Sequence, residues 1–257
     1  MKAEVTDSAE GDFNAGKKAS DPKPHRSLIT RFWKQSVACA ILLWFGIELL
    51  TLPFADIQNL RSHNPVETEF MRLHAQRARE EHRSFRKVQE WVRLSNVAPT
   101  AINAIVVAED GRFWNHGGFD WFEFKESLLK NITQGRAARG ASTITQQLIK
   151  NLYLSPSKHP LRKIREWILT WWMERTLTKN RILELYLNVI ELGDGMYGVQ
   201  AASRKYFGKL VSELTREEAA RLAAIIPSPR RYRPDESSLY VERKSVVILQ
   251  RMKARGM

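Results

Sequence analysis

The apolar positions of this 257-residue chain recur mainly at helical spacing. Between Ala98 and Asp110, isoleucine and valine side chains return every three or four residues, which is typical of a helix with one buried face. A second helix is predicted from Ser142, whose hydroxyl can cap it, to about Tyr153. Its inward-facing positions are Ile144, Leu148 and Leu152.

Two more helices are predicted further along the chain. Pro160 precedes a long helical pattern that runs through Trp172. The segment TREE at 215–218 has the pattern of a capping box, and the helix that it starts is expected to stop at Pro227. Strand-like alternation is scarce. The pattern therefore predicts a mainly α fold.

One apolar run is long enough for a membrane span. From Ser36 to Phe54 the chain reads SVACAILLWFGIELLTLPF, which contains a single charged residue, Glu48. About 20 apolar residues cross a bilayer core. A buried core helix is the alternative, because a carboxyl group in lipid is costly unless it is protonated or paired. A cleaved signal peptide fits less well, since the run starts late and no small-residue cleavage site follows closely. The run predicts an N-terminal transmembrane helix.

These features divide the chain into three parts. Residues 1–34 are a polar, disordered tail, 35–55 the transmembrane anchor, and 56–257 one folded domain. About 200 residues suffice for a single hydrophobic core. The stretch from Glu67 to Trp91 is rich in Arg and Glu, which predicts a solvated helical connector.

The placement of Lys and Arg predicts the topology. Seven basic residues precede the apolar run, and the positive-inside rule puts such a tail in the cytoplasm. Arg61 and other basic residues that follow the run weaken the rule here. The prediction is a single-pass protein of the cytoplasmic (inner) membrane, with the folded domain on the periplasmic side.

The net charge of +13 indicates an anionic partner. Nucleic acid, an anionic membrane surface and a phosphorylated substrate all fit this charge, but a domain outside the cytoplasm argues against nucleic acid. The one cysteine, Cys39, allows no intrachain disulfide and lies in the apolar run. Cysteine usage therefore does not distinguish oxidising from reducing compartments.

The first candidate chemical cluster, EDGRFWNHGGFD at 109–120, follows an apolar helix. The backbone dipole disfavours negative charge at a helix C-terminus, so a carboxylate such as Glu109 is out of place there unless something uses it. The alternative is a surface acidic pair, with His116 packed or capping.

The second cluster, GASTITQQLIKN at 140–151, presents hydroxyls and amides at a helix start and adds Lys150 about two turns later. This arrangement suits an anion such as phosphate. A capped polar helix explains the same residues equally well.

The third cluster, RKIRE at 162–166, places Arg162 and Glu166 four residues apart on one helical face. Such pairs are usually surface salt bridges.

Together these runs resemble the signature motifs of glycosyltransferase family 51, the peptidoglycan glycosyltransferases. The first run matches E-D-x-x-F-x-x-H-x-G-x-D, the second G-x-S-T-x-T-Q-Q-x-x-K-N and the third R-K-x-x-E. The run KNRILELYLN at 179–188 matches a fourth motif, K-x-x-I-L-E-x-Y-L-N. A fifth, 243–252, carries Lys244 where a second arginine is usual. The resemblance covers about residues 90–252 and is closest to the monofunctional members, so no transpeptidase activity is expected.

The resemblance implies a lysozyme-like, mainly helical glycosyltransferase domain that polymerises lipid II into linear glycan and releases undecaprenyl pyrophosphate. It implies Glu109 and Glu166 as catalytic residues, with Glu109 as the base and Glu166 arranging the basic cluster or helping to hold a divalent ion. The implied substrate-binding residues are Asp110, Phe113, His116, Ser142, Thr143, Gln146, Gln147, Lys150, Asn151, Arg162 and Lys163. The family's donor-mimicking inhibitor is moenomycin.

The resemblance also sets the expected partners. These are lipid II, the growing lipid-linked glycan and membrane phospholipid, with cell-wall synthesis or division proteins as further candidates and no nucleic acid. No tightly bound cofactor is expected, although a divalent cation, Mg²⁺ or Mn²⁺, is allowed. A wall-cutting hydrolase and a catalytically silent wall-binding module remain as alternatives, because two carboxylates also serve glycosidases. A basic nucleic-acid binder is the third.

Overall fold

The computed structural model describes residues 26–134, 142–155 and 160–257. Residues 1–25 of the predicted tail lie outside this part of the chain, as does the start of the second motif at 140–141. The chain divides into two compact units between Thr51 and Leu52.

The first unit contains one long helix, α1 (Arg26–Leu50). Several large apolar side chains of α1 are exposed, among them Phe32, Trp33, Leu42 and Leu43. Within the described ranges, no helix is both long enough and apolar enough to cross a membrane. The transmembrane helix predicted at 35–55 is therefore not confirmed. The helix itself ends at Leu50, because Pro53 interrupts the chain before the next helix begins.

The second unit is mainly helical. Its helices are α2 (Phe54–Asn59), α3 (Glu69–Glu80), α4 (Pro99–Glu109), α5 (Trp121–Gln134), α6 (Ile144–Tyr153), α7 (Pro160–Thr176), α8 (Lys179–Val189), α9 (Val199–Phe207), α10 (Arg216–Ile225) and α11 (Leu239–Lys253). Short strands β1 (Val88–Gln89), β2 (Glu191–Gly193) and β3 (Met196–Tyr197) form a small sheet in the order β1-β3-β2. In this sheet β1 is parallel and β2 antiparallel to β3.

The core of this unit has two parts that meet at the end of α4. On one side α4 packs against α10 and α11, and on the other α6 packs against α3, α7 and α8. The predicted inward positions of α6, Ile144, Leu148 and Leu152, are all buried. Burial of apolar side chains in both parts holds α4 and α6 in place.

Most predicted helices are confirmed, with two local differences. Helices α4, α7 and α10 occupy the predicted segments, and the capping box at Thr215 and Glu218 is present. Helix α6 is capped by Thr143 and not by Ser142, because Thr143 accepts the Gln146 N–H. The predicted connector is helical only up to Glu80, beyond which the chain extends into β1.

Candidate active site

The C-terminal end of α4 is joined to the start of α6 by Asp110. Its carboxylate is buried and accepts hydrogen bonds from His116 Nε2 (2.9 Å) and from the Ile144 N–H (3.0 Å). The Gly118 N–H donates to His116 Nδ1 (3.0 Å), so the ring proton lies on Nε2 and points at Asp110. Two segments distant in sequence are thereby fixed beside Glu109.

Polar side chains in the first turn of α6 cap the start of that helix. Thr143 accepts the Gln146 N–H, and the Gln146 side-chain oxygen accepts the Thr143 N–H. The Thr143 hydroxyl also donates to the Gly118 carbonyl (2.8 Å). Thr143 and Gln146 are buried and cap the helix, whereas Ser142, just before the cap, is half-buried. The substrate-binding roles of all three residues stay predictions.

Glu109, the last residue of α4, lies next to the contact between α4 and α6 and is half-buried. Its Oε2 accepts a hydrogen bond from Gln147 Nε2 (2.9 Å), and Gln147 Oε1 accepts one from the Tyr186 hydroxyl (3.0 Å). Tyr186 on α8 is fully buried. Burial, followed by the charges of Glu109 and Asp110, raises the pKa of Tyr186 well above its usual value, so the phenol remains a hydrogen-bond donor.

A basic cluster on α6 and α7 surrounds the second predicted carboxylate. Glu166 is only 1% exposed and accepts from Lys163 Nζ (2.5 Å) and Arg162 Nη1 (3.3 Å). The Arg162–Glu166 pair confirms the spacing read from the sequence. The heads of Arg162 and Lys163 remain partly exposed, so Glu166 holds two cations that still face solvent.

Lys150 connects this cluster to Glu109. Burial lowers the pKa of Lys150, and the charges of Lys163 and Arg162 lower it further, while Glu166 and Glu109 oppose the shift. The side chain therefore senses both carboxylates and both neighbouring cations, which makes them one electrostatic site. Asn151, the next predicted residue on α6, is half-buried.

The ring of Phe113 lies inside the protein. It is fully buried, with Lys179 Nζ 4.4 Å from its ring centre. The part that Phe113 is expected to play in substrate binding stays a prediction.

The structure adds polar residues that the sequence patterns did not single out. Glu174 on α7 accepts hydrogen bonds from Thr145 (2.5 Å) and Lys179 (2.8 Å), which joins α6, α7 and α8. Burial, and then the charge of Glu109, raises the pKa of Tyr240 on α11, which places this phenol in the electrostatic field of Glu109. No local spacing signals either residue, because both act through neighbours on other helices.

A metal ion fits the observed side chains poorly. Asp110, His116 and Asp120 bring potential ligand atoms within 4.8 Å of one another. Both ring nitrogens of His116 and both oxygens of Asp110 are engaged in hydrogen bonds, and the Arg112 guanidinium lies 3.9 Å from Asp120. Glu166 is likewise occupied by two cations. The divalent cation allowed by the sequence stays a prediction.

The arrangement defines a class of enzyme. A half-buried carboxylate can remove a proton from a hydroxyl nucleophile, and the adjacent cations can stabilise an anionic leaving group. A carboxylate beside a cluster of cations is suited to group transfer from a phosphorylated donor.

Comparison with known proteins identifies the family. A family model described as Transglycosylase matches residues 76–253. Proteins named biosynthetic peptidoglycan transglycosylase are similar over most of their length. That of Nitrosospira multiformis is 40% identical over 199 residues, 77% of this chain and 86% of the relative. The protein of Azoarcus sp. is 44% identical over 195 residues, which cover 76% of this chain and 83% of the relative. The protein of Thiobacillus denitrificans is 40% identical over 222 residues, which cover 86% of this chain and 95% of the relative. The chain belongs to the transglycosylase family, which confirms the resemblance of its motifs.

Proposed function

We propose that this transglycosylase polymerises lipid II into linear peptidoglycan glycan strands and releases undecaprenyl pyrophosphate, without forming peptide cross-links. The observation that carries the proposal is the position of Glu109 beside the cluster of Lys150, Arg162 and Lys163. The names of the relatives, biosynthetic peptidoglycan transglycosylase, support peptidoglycan as the polymer that is made.

In the proposed reaction Glu109 acts as the general base. It takes the proton from the acceptor sugar's 4-hydroxyl as the oxygen attacks the donor's anomeric carbon. The bond from that carbon to the pyrophosphate oxygen breaks and the configuration inverts. General-base assistance of this kind contributes roughly 10²–10⁴-fold to a rate.

Lys150, Arg162 and Lys163 stabilise the departing pyrophosphate in this proposal. Charge grows on the leaving oxygens as the glycosidic bond breaks, and cations already in place lower the energy of that state. Glu166 takes a supporting role, because its two hydrogen-bonded partners are the cations themselves. This use of Glu166 also disfavours a two-carboxylate hydrolase, since a 1% exposed carboxylate held by two cations is poorly placed to attack a sugar.

The proposed place of action is the periplasmic face of the cytoplasmic membrane, with phospholipid as a partner. The exposed aromatic face of α5 supports membrane contact, because Trp121 and Phe122 are 65% and 59% exposed and Phe124 and Leu129 also face outward. Cell-wall synthesis or division proteins stay predicted partners.

The test is polymerisation of labelled lipid II by the purified full chain in detergent, with products separated on a gel. We expect long glycan in the parent, blocked by moenomycin, and turnover about 10²–10⁴-fold lower in Glu109→Gln, because the amide keeps the shape but cannot take a proton. Glu109→Gln should still bind moenomycin. Glu166→Gln should lose both turnover and moenomycin affinity, because Arg162 and Lys163 lose their anchor.

Three results would contradict the proposal. Near-parental turnover in Glu109→Gln would remove Glu109 as the base. Release of fragments from purified cell wall would favour the hydrolase. Absence of any polymer across detergents and divalent-ion conditions would favour the silent wall-binding module.

A further inference from the structure

A continuous line of hydrogen bonds runs from the core of the second unit to Glu109. The Tyr186 hydroxyl donates to Gln147 Oε1 (3.0 Å), and Gln147 Nε2 donates to Glu109 Oε2 (2.9 Å). The three side chains come from α8, α6 and the end of α4. They are far apart in sequence, so only the packing of these helices brings them into line.

The donor and the acceptor in each hydrogen bond follow from the groups at the two ends, the Glu109 carboxylate and the Tyr186 hydroxyl. A carboxylate offers only acceptors, so the group of Gln147 that faces Glu109 is its amino group. The amide oxygen of Gln147 must then face Tyr186, whose hydroxyl can satisfy it by donating. Tyr186 thus specifies the orientation of the Gln147 amide that suits an ionised Glu109, the form a general base needs.

The burial of Tyr186 stabilises this orientation of the Gln147 amide. The ring is fully enclosed where α8 packs on α6, so the Tyr186 hydroxyl cannot move away from the Gln147 oxygen without disturbing that packing. A fixed neighbour restricts the orientations of the Glu109 carboxylate, and restriction to a productive geometry raises the rate of the chemical step.

We propose that Tyr186 is a positioning residue for Glu109 that acts through Gln147. The proposal rests on the proposed role of Glu109 as the base. Tyr186 touches no substrate in this scheme, and removal of its hydroxyl changes the chemical step and leaves lipid II binding intact.

The experiment is a double-mutant cycle on the purified full chain. Tyr186→Phe should lower kcat about 3–10-fold with KM unchanged, corresponding to the loss of one ordinary hydrogen bond. Gln147→Leu should lower kcat more, about 10–100-fold. In the double variant the Tyr186→Phe change should have no further effect beyond about 2-fold, because its only route to Glu109 is already cut.

Tyr197→Phe is the matched control. Tyr197 is also fully buried and its hydroxyl also has one side-chain partner, His74 at 3.0 Å, but that pair lies between α3 and β3. We expect Tyr197→Phe to lose thermal stability to a similar degree as Tyr186→Phe while keeping the parental kcat. Thermal melts of both variants separate a folding defect from a loss of positioning.

Each other outcome overturns the proposal. Parental kcat in Tyr186→Phe would show that the hydroxyl does not matter to the base. Multiplying effects in the double variant would show that Tyr186 acts by another route, and an equal loss of kcat in Tyr197→Phe would show a general structural effect. Glu109→Gln is measured in the same series to keep the two proposals apart. Its loss of activity would support Glu109 as the base whether or not Tyr186 positions it through Gln147.

Discussion

At the scale of single residues, three neighbouring carboxylates have three different surroundings. Asp110 is buried and accepts hydrogen bonds from the N–H groups of His116 and of Ile144 at the start of α6. Glu166 is buried between two cations, Arg162 and Lys163. Glu109 alone is half-buried, and one of its contacts is a neutral amide donor, Gln147 Nε2. The same functional group is thus a structural joint, an anchor for cations or a candidate base, according to its neighbours.

Lys150 is expected to reduce the stability of the protein while it serves the site. Burial and the neighbouring cations lower its pKa, so in the folded state the charged form is less favourable than in water. We expect Lys150→Met to raise Tm near neutral pH and to lower turnover by at least about 10-fold. In a domain of this size about 1 kcal/mol corresponds to roughly 2–4 °C in Tm.

The sign of the pH dependence follows from the lowered pKa of Lys150. Below that folded-state pKa the lysine is charged in both states and the cost of burial is fully present. As the pH rises from there towards about 10.4, the unfolded-state pKa, the folded state has released a proton that the unfolded chain still binds, so the parent gains stability. The Tm advantage of Lys150→Met should shrink across this window. Thermal melts from pH 7 to 10.5 measure it, with the exposed Lys205→Met as the control, and a constant advantage would contradict the prediction.

At the scale of elements, the start of α6 is a joint between three segments. Thr143 reaches back to the Gly118 carbonyl, and Thr145 reaches forward to Glu174 on α7. Gly118 adopts φ +93°, and an added Cβ would lie 2.8 Å from Thr170 and 2.9 Å from Glu174. The turn after α4 thus approaches α7 too closely for any side chain.

Gly118→Ala should therefore destabilise the protein. We expect a loss of about 1–3 kcal/mol for the left-handed backbone, with the close contacts adding to it. Gly117→Ala is the matched control, because a Cβ there would meet nothing within 4 Å. Urea titration of both variants measures the difference in unfolding free energy. Equal stabilities would show that the turn can move away from α7 without cost.

At the scale of the whole molecule, positive charge and exposed aromatic side chains support the proposed contact with an anionic membrane surface. The net charge is +13, and each Lys or Arg near such a surface contributes about 1 kcal/mol. The outward-facing aromatic side chains of α5 can then enter the interface. Salt weakens the attraction between charges much more than the insertion of apolar groups, so varying the salt concentration separates the two contributions.

An environment-sensitive fluorophore at position 122 should report this insertion. In a Cys39→Ser background, a label on Phe122→Cys should shift to the blue and lose exposure to an aqueous quencher with phosphatidylglycerol vesicles, but not with phosphatidylcholine vesicles. High salt should weaken the effect, because the Debye length falls from about 10 Å at 0.1 M to about 3 Å at 1 M. A label on the exposed Glu217→Cys is the control. Equal responses at both positions would show that α5 is not the contact surface.

The sequence by itself determined the family, the mainly helical fold and the local pairs. Residues three or four positions apart on a helix are neighbours in any fold, which is why the Arg162–Glu166 pair and the Thr215 capping box could be predicted. The order of the motifs identified the transglycosylase family for the same reason, since it depends only on residues along the chain.

Only the tertiary structure decided which partners each polar residue of those motifs has within the protein. The family resemblance implies that Asp110, Phe113, Thr143 and Gln146 bind substrate. The structure shows that all four are buried and that Asp110, Thr143 and Gln146 have hydrogen-bond partners within the protein. It also decided that Gln147 faces both Glu109 and Tyr186. Helical spacing specifies the face on which a side chain lies. Its burial, its charge state and its partners depend on which other helix covers that face, and that is settled only when distant segments pack together.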